Sequence, residues 1–330
     1  MSLKTAILFN GAASYIAQEA GMLDLLIGMG LNIQKEVKFI GGLSSGALMT
    51  FAVNAAFCEN PPLPWEDFKE KVLFPLKTKN IYTETSHPYN TEPLRELLTR
   101  ISSNIGYHTL RNLPFDSAIL TLADVNLKTC WLNNIPKVIK TLPKGYSHIY
   151  KSIREHQLEL ELVSALMCST AIPSAFPRQE LYYSPGERIT NLIGKPAYFS
   201  DGGSAGVFKR FQEFFNTYNE KFDKIYFISP NFTSSEEDAY KLIDAGDINS
   251  AVKKIDPQHI MDEATNEFIE ELKEYNANND LADAIYYCKP EVSGYDPLNF
   301  NQEKEQYNKT MVWGHENPDK IAININSIAN

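Results

Sequence analysis

The sequence predicts an α/β protein with a mostly parallel central sheet flanked by helices, and three observations predict it. Two strand-loop-helix units follow one another within the first sixty residues, Leu3 to Met29 and Val37 to Phe57. Further β-rich runs follow, Asp116 to Val125 and Leu127 to Asn133 as two strands around Asn126, then Lys224 to Ser229 and Ala282 to Cys288 with helical patterns between. A chain of 330 residues with 43% hydrophobic content can bury one large core. No linker or internal repeat divides it, so a single domain over 1–330 is expected, with about 235–330 as an extension of the main body.

The first unit opens with Leu3 to Phe9, a short apolar run that ends at the turn signal Asn10-Gly11. Ile16, Ala20, Leu23 and Ile27 then recur at helical spacing. Between them, Asn10-Gly11-Ala12-Ala13-Ser14 is small enough for its backbone N–H groups to approach a ligand. The second unit carries the chemistry. Val37, Phe39 and Ile40 run into Gly42-Leu43-Ser44-Ser45-Gly46, and an apolar helix opens at Gly46. Glycines two residues either side of Ser44 permit a sharp bend, which would place the hydroxyl at a helix N-terminus where developing negative charge is favoured. Glycine is common enough that this G-x-S-x-G pattern is weak alone; its strand-helix setting strengthens it. Right-handed crossovers make the two strands neighbours in a parallel sheet, so the first loop falls at the same edge as Ser44.

Cys58 to Trp65 (CENPPLPW) breaks the second helix, and helical patterns return at Glu66 to Phe74 and Glu92 to Ile101. Ile135 to Arg154 is a basic stretch without an acid, carrying Lys137, Lys140, Lys144, Lys151 and Arg154 among apolar residues. It reads either as a surface that docks on lipid or as a solvated loop and helix face. After a helical pattern at Leu158 to Met167, two prolines four apart stiffen Ser169 to Pro177. Ala197 to Ser200 is a short strand that ends in Asp201-Gly202-Gly203, an acid fixed beside bare backbone or else a plain β-turn. Glu236 to Ala245 and the acidic Ile260 to Tyr275 are expected helices, Ala282 to Cys288 the last strand and Gln302 to Trp313 the closing helix.

Several classes are disfavoured. A net charge of −10 argues against nucleic acid as a partner, and no stretch approaches the ~20 apolar residues of a membrane span. Cys58, Cys130, Cys168 and Cys288 are scattered and the six histidines form no ligand pair, so neither a metal site nor a disulfide framework is expected. Met1 to Asn10 lacks a signal-peptide pattern, which points to the cytosol.

Taken together, Gly42-Leu43-Ser44-Ser45-Gly46, the Ser-Thr-Ala-x-Pro-x-x-Phe-Pro segment from Ser169 to Pro177 and Asp201-Gly202-Gly203 occur in the order found in the patatin-like phospholipase family, which this chain resembles over roughly residues 5 to 230. Thr121 to Asn126 is similar to a strand that the family carries between them. The resemblance implies a lipid acyl hydrolase with a Ser44–Asp201 dyad, a lipid ester substrate met at a membrane surface, and no cofactor or metal. It also implies an oxyanion hole from the N–H groups of Gly11, Ala12 and Ala13. The family's first loop usually has three glycines and a nearby Arg or Lys; here only Gly11 remains and no basic residue follows. An alanine at positive φ costs about 1 kcal/mol or more. Two alternatives follow: a catalytically impaired relative that binds lipid or protein, or a Ser-His-Asp α/β-hydrolase using His259 or His315.

Overall fold

The computed structural model describes residues 3–123, 128–141, 153, 155–190, 194–202, 214–231 and 269–328. A nine-stranded sheet runs through it, and its centre is parallel. Strands β1 (Thr5–Phe9), β2 (Val37–Leu43) and β3 (Asp116–Ala123) lie side by side, β1 pairing β2 and β2 pairing β3 in parallel. Antiparallel β4 (Lys128–Asn133), β5 (Gln179–Glu180) and β6 (Tyr198–Asp201) belong to the β3 side. On the other side of β1 come parallel β7 (Phe222–Ile228) and β8 (Ala282–Cys288), then antiparallel β9 (Ile323–Asn324). The expected mostly parallel α/β sheet is therefore present, with antiparallel margins. Ala282 to Cys288 is not the last strand, because β9 follows it.

Both faces of the sheet are covered, which is why its strands read as continuous apolar runs. Ile7 and Phe9 of β1 and Ile40 of β2 enter one core; Ala6, Leu8, Phe39 and Leu43 point into the other. The first core is closed by α1 (Ile16–Gly28), α2 (Ser45–Ala56), α3 (Glu92–Ile105), α4 (Leu162–Ser169) and α5 (Glu303–Glu316). The second is closed by 214–218 and 269–279; Phe214, Phe215 and Tyr218 pack against Phe39, and Leu272 joins the same cluster. Helix α3 runs past Ile101 to Ile105 and stops at Gly106, whose left-handed backbone (φ 75°) caps it. Gln302 to Trp313 matches α5 to within a turn. The basic Lys144, Lys151 and Arg154, the helix at Glu236 to Ala245, most of Ile260 to Tyr275, and His259 lie outside the described residues. Lys137 is engaged within the protein, 2.5 Å from Glu220 and over the Tyr218 ring. No helix among the described residues is long and apolar enough to cross a membrane.

The C-terminal segment reaches the first loop. Ser14 N donates to Pro297 O (2.9 Å) and Tyr15 Oη to Tyr295 O (2.5 Å), while α5 lies along α1. Asp24 of α1 anchors that face, accepting from Trp65 Nε1 (2.6 Å), Lys69 Nζ (2.7 Å) and Tyr307 Oη (2.5 Å). Burial alone would pull the Lys69 ammonium down, but hydrogen bonds to Asp24 and Glu66 hold it above its ordinary value. Asp24→Ala leaves that cation with the exposed Glu66 as its carboxylate partner beside the Tyr307 hydroxyl, and removing one partner of a buried pair is strongly destabilising. A loss of about 3 kcal/mol in urea unfolding is expected.

Candidate active site

The bend predicted at Ser44 is a strained one. Ser44 is the N-cap of α2 with φ 53° and ψ −126°, a conformation that L residues avoid and that clusters at functional positions. Close approach of backbones makes it possible. A Cβ on Gly46 would lie 2.7 Å from Phe9 Cβ, and one on Gly42 would lie 2.8 Å from Thr50 Oγ1. A Cβ on Gly11 would lie 2.8 Å from the Gly46 nitrogen. The elbow glycines therefore let β1, the first loop and α2 touch. Ser44 thereby sits at the positive end of the α2 dipole.

The register of β3 decides where Asp201 goes. Strand β4 pairs Ala118 to Ala123 of β3, overlapping the stretches taken by β2 and by β6, so those two strands share the opposite edge. On that edge β2 runs parallel and stops with Leu43 opposite Leu120. Strand β6 runs antiparallel and stops with Asp201 opposite Thr121. The two C-terminal ends thus meet head to head, one residue step or about 3.3 Å apart along β3. Ser44 leaves one end and Asp201 forms the other. Gly202 seals the junction, since a Cβ there would lie 2.8 Å from Leu120 Cγ. Gly203 lies outside the described residues.

Segment 169–177 braces this junction. Ser169 Oγ accepts from Ser44 N (3.0 Å) and donates to Leu120 O (2.6 Å). Thr121 Oγ1 faces Ser200 O (2.8 Å) and Cys168 O (3.1 Å), and Asp201 N donates to Ala171 O (2.9 Å). Among the described residues no hydrogen bond joins Ser44 Oγ to the Asp201 carboxylate directly; in ligand-free sites such contacts are often long and tighten with substrate. Ser169→Ala leaves the buried Ser44 N–H and Leu120 carbonyl without that bridge. A cost of about 1–3 kcal/mol in denaturant unfolding is expected.

The first loop departs from expectation at two of its three residues. Gly11 N donates to Glu19 Oε1 (3.0 Å) and Ala12 N to Ser45 Oγ (2.8 Å), so both N–H groups offered as oxyanion donors are engaged with the interior. The reason is Glu19, an acid on a helix that is buried all round, which needs donors and takes them from the nearest backbone. Ala13, at φ 49°, is the loop residue that lines the pocket beside Ser44, and its N–H makes no hydrogen bond among the described residues.

That pocket is narrow and apolar. Leu48, Ile81, Leu94, Ile172, Phe176 and Phe300 surround Ser44, Ser45, Ala13 and Thr170. Ser44 is only 6% exposed, so a substrate has to part these side chains to reach it. Phe300, Ile81 and Leu94 carry no motif and were not legible as site residues; Glu19 gave one signal, a charge inside an apolar helix. Among the described residues no histidine lines the pocket. Phe300 precedes α5 whereas His315 lies in its last turn, about 20 Å further along. His315 is exposed there, which removes it as a triad partner. Among the described residues no group of three His, Cys, Asp or Glu side chains gathers as a metal site would.

The family model described as Patatin-like phospholipase matches residues 7–209. No curated protein matches the sequence. Among solved structures, the crystal structure of VipD from Legionella pneumophila is similar, with 12% identity and a TM-score of 0.40 over 98% of this chain and 68% of that one.

Proposed function

Because the chain belongs to the patatin-like phospholipase family, we propose that it is a serine acyl hydrolase that cleaves lipid carboxylic esters through Ser44 and Asp201. One observation supports this reading above the others: β2 and β6 end against each other on a single edge of β3, with Ser44 following one end and Asp201 closing the other. Two further features support it, the strained backbone of Ser44 and the apolar pocket around its side chain.

In this reading Ser44 Oγ attacks the ester carbonyl carbon while the Asp201 carboxylate takes its proton. The carbonyl oxygen becomes an oxyanion facing Ala13 N–H and the positive end of α2, where one donor contributes about 3 kcal/mol in known cases. Collapse of the tetrahedral intermediate breaks the ester C–O bond, and Asp201 returns the proton to the departing alkoxide. Water then attacks the acyl-serine with Asp201 again as base, and the proton passes from Asp201 to Ser44 Oγ as the fatty acid leaves. Pocket side chains Leu48, Leu94, Ile172 and Phe176 suit an acyl chain and offer no charge to a headgroup. That supports specificity for the acyl part over the alcohol part.

A second reading has its own support, the engagement of Gly11 and Ala12 N–H. It makes the protein a binding module that holds lipid without turning it over. Release of p-nitrophenol from acyl esters and of fatty acid from phospholipid micelles decides between them. Turnover that Ser44→Ala abolishes supports the hydrolase; an inert native protein that still binds micelles supports the module.

A further inference from the structure

Behind the first loop lies a closed chain of contacts that the dyad chemistry does not use. Glu19, fully buried on α1, receives Gly11 N–H on Oε1 (3.0 Å). Its Oε2 lies 3.0 Å from Ser45 Oγ, and Ser45 Oγ receives Ala12 N–H (2.8 Å). On the far side of Ala13, Ser14 N and Ser14 Oγ are held by Pro297 O and Asp296 O. Ala13 is thus the residue between two grips, left-handed at φ 49°, with its N–H uncommitted among the described residues.

We propose that Glu19 and Ser45 are positioning residues that clamp Gly11 and Ala12 so that Ala13 presents its N–H to the oxyanion formed on Ser44. The inference rests on the hydrolase reading above and adds what replaces the missing glycines. An L residue at positive φ persists only where its surroundings over-determine it, and two N–H groups tied to one buried acid and its serine do that. The clamp also survives a change of protonation. An ionised Glu19 accepts from the Ser45 hydroxyl, whereas a neutral Glu19 donates to Ser45 Oγ, and both leave Gly11 and Ala12 held. Burial pushes Glu19 up to about 8, so at neutral pH the group behind the loop is mostly uncharged and does not repel an oxyanion.

Glu19→Ala, Glu19→Gln, Ser45→Ala and the Glu19→Ala/Ser45→Ala double variant test this in the full chain on a soluble p-nitrophenyl ester. Each alanine variant is expected to lower kcat roughly 100-fold, the size of losing one oxyanion donor, with KM within about threefold of native. The double variant should be little worse than either single, because the two act as one unit. Glutamine accepts from Gly11 and donates to Ser45, so Glu19→Gln should recover to within about tenfold of native. A folded Ser45→Ala and a folded Glu19→Ala with native kcat, or losses carried wholly by KM, overturn the clamp while leaving the hydrolase standing. Should Glu19→Ala not fold, Ser45→Ala with its milder truncation gives the same answer. If the native protein is inert and Ser44→Ala no different, the hydrolase reading fails, and the clamp with it.

Discussion

Ser44→Ala and Asp201→Asn are each expected to lower kcat by roughly 10⁴-fold or more, and the double variant is expected to be no slower than the worse single. The expectation follows from the proposed dyad and the head-to-head meeting of β2 and β6, in which Ser44 follows one strand end and Asp201 closes the other on one edge of β3. Among the described residues no histidine lines the pocket, so in this reading the amide of Asp201→Asn leaves the Ser44 proton without a base. Both substitutions conserve shape, so melting temperatures should stay near native. Steady-state rates on a soluble ester, with active-site titration by a fluorophosphonate, make the check. Labelling of native protein and its absence in Ser44→Ala would fix the nucleophile independently of turnover. A fully active Asp201→Asn would sink the dyad, even with Ser44 as nucleophile.

What could be read beforehand follows the range of the interactions. The strand-loop-helix units around Gly11 and Ser44 are local, written in β-branched runs, glycines and helical spacing, and the structure has them within a residue or two. The sharp bend at Ser44 is equally local, since its glycines sit two residues away. Asp201 was legible as an acid at a strand end, but not the direction of that strand. That β6 is antiparallel and shares an edge of β3 with β2 depends on a partner some eighty residues earlier, and no short-range pattern encodes it. The clamp was hidden for the same reason: Glu19 and Ser45 are 26 positions apart, and only folding shows that the buried acid draws on the loop's N–H groups. The departure at Gly11 and Ala12 follows from this. Phe300 enters the pocket from the other end of the chain simply by preceding α5, and a lone phenylalanine carries no signal of that kind.

Stability should fall as pH rises from about 5 to about 8.5, against the usual trend for an acidic protein. Glu19 and Glu303 are both buried, and burial pushes each from the ordinary 4.5 up to about 8. The sign follows from proton counting. Between those values the folded chain holds two protons that the unfolded chain has released, so unfolding releases protons and alkali favours it. Stability from these groups is therefore complete below about 4.5 and is lost as pH passes through about 8. Its total is on the order of several kcal/mol. Glu220, Glu291 and Glu305 act in the opposite sense. Hydrogen bonds from Lys137, Lys320 and Lys309 respectively lower them, so their smaller, solvent-screened contributions fade as pH falls below the ordinary carboxylate range. The maximum should then lie near pH 5. Urea unfolding at a series of pH values measures it, and Glu19→Gln and Glu303→Gln should each flatten the fall and together nearly remove it. A native curve that is flat or rises between pH 5 and 8.5 would mean that neither acid holds its proton in the folded state. Glu303 stands apart from the Glu19 clamp, so Glu303→Gln should raise stability at pH 8 without touching turnover. Glu19→Gln should raise it too, at some cost in rate. That difference would mark Glu19 as an acid kept buried for the sake of the loop above it.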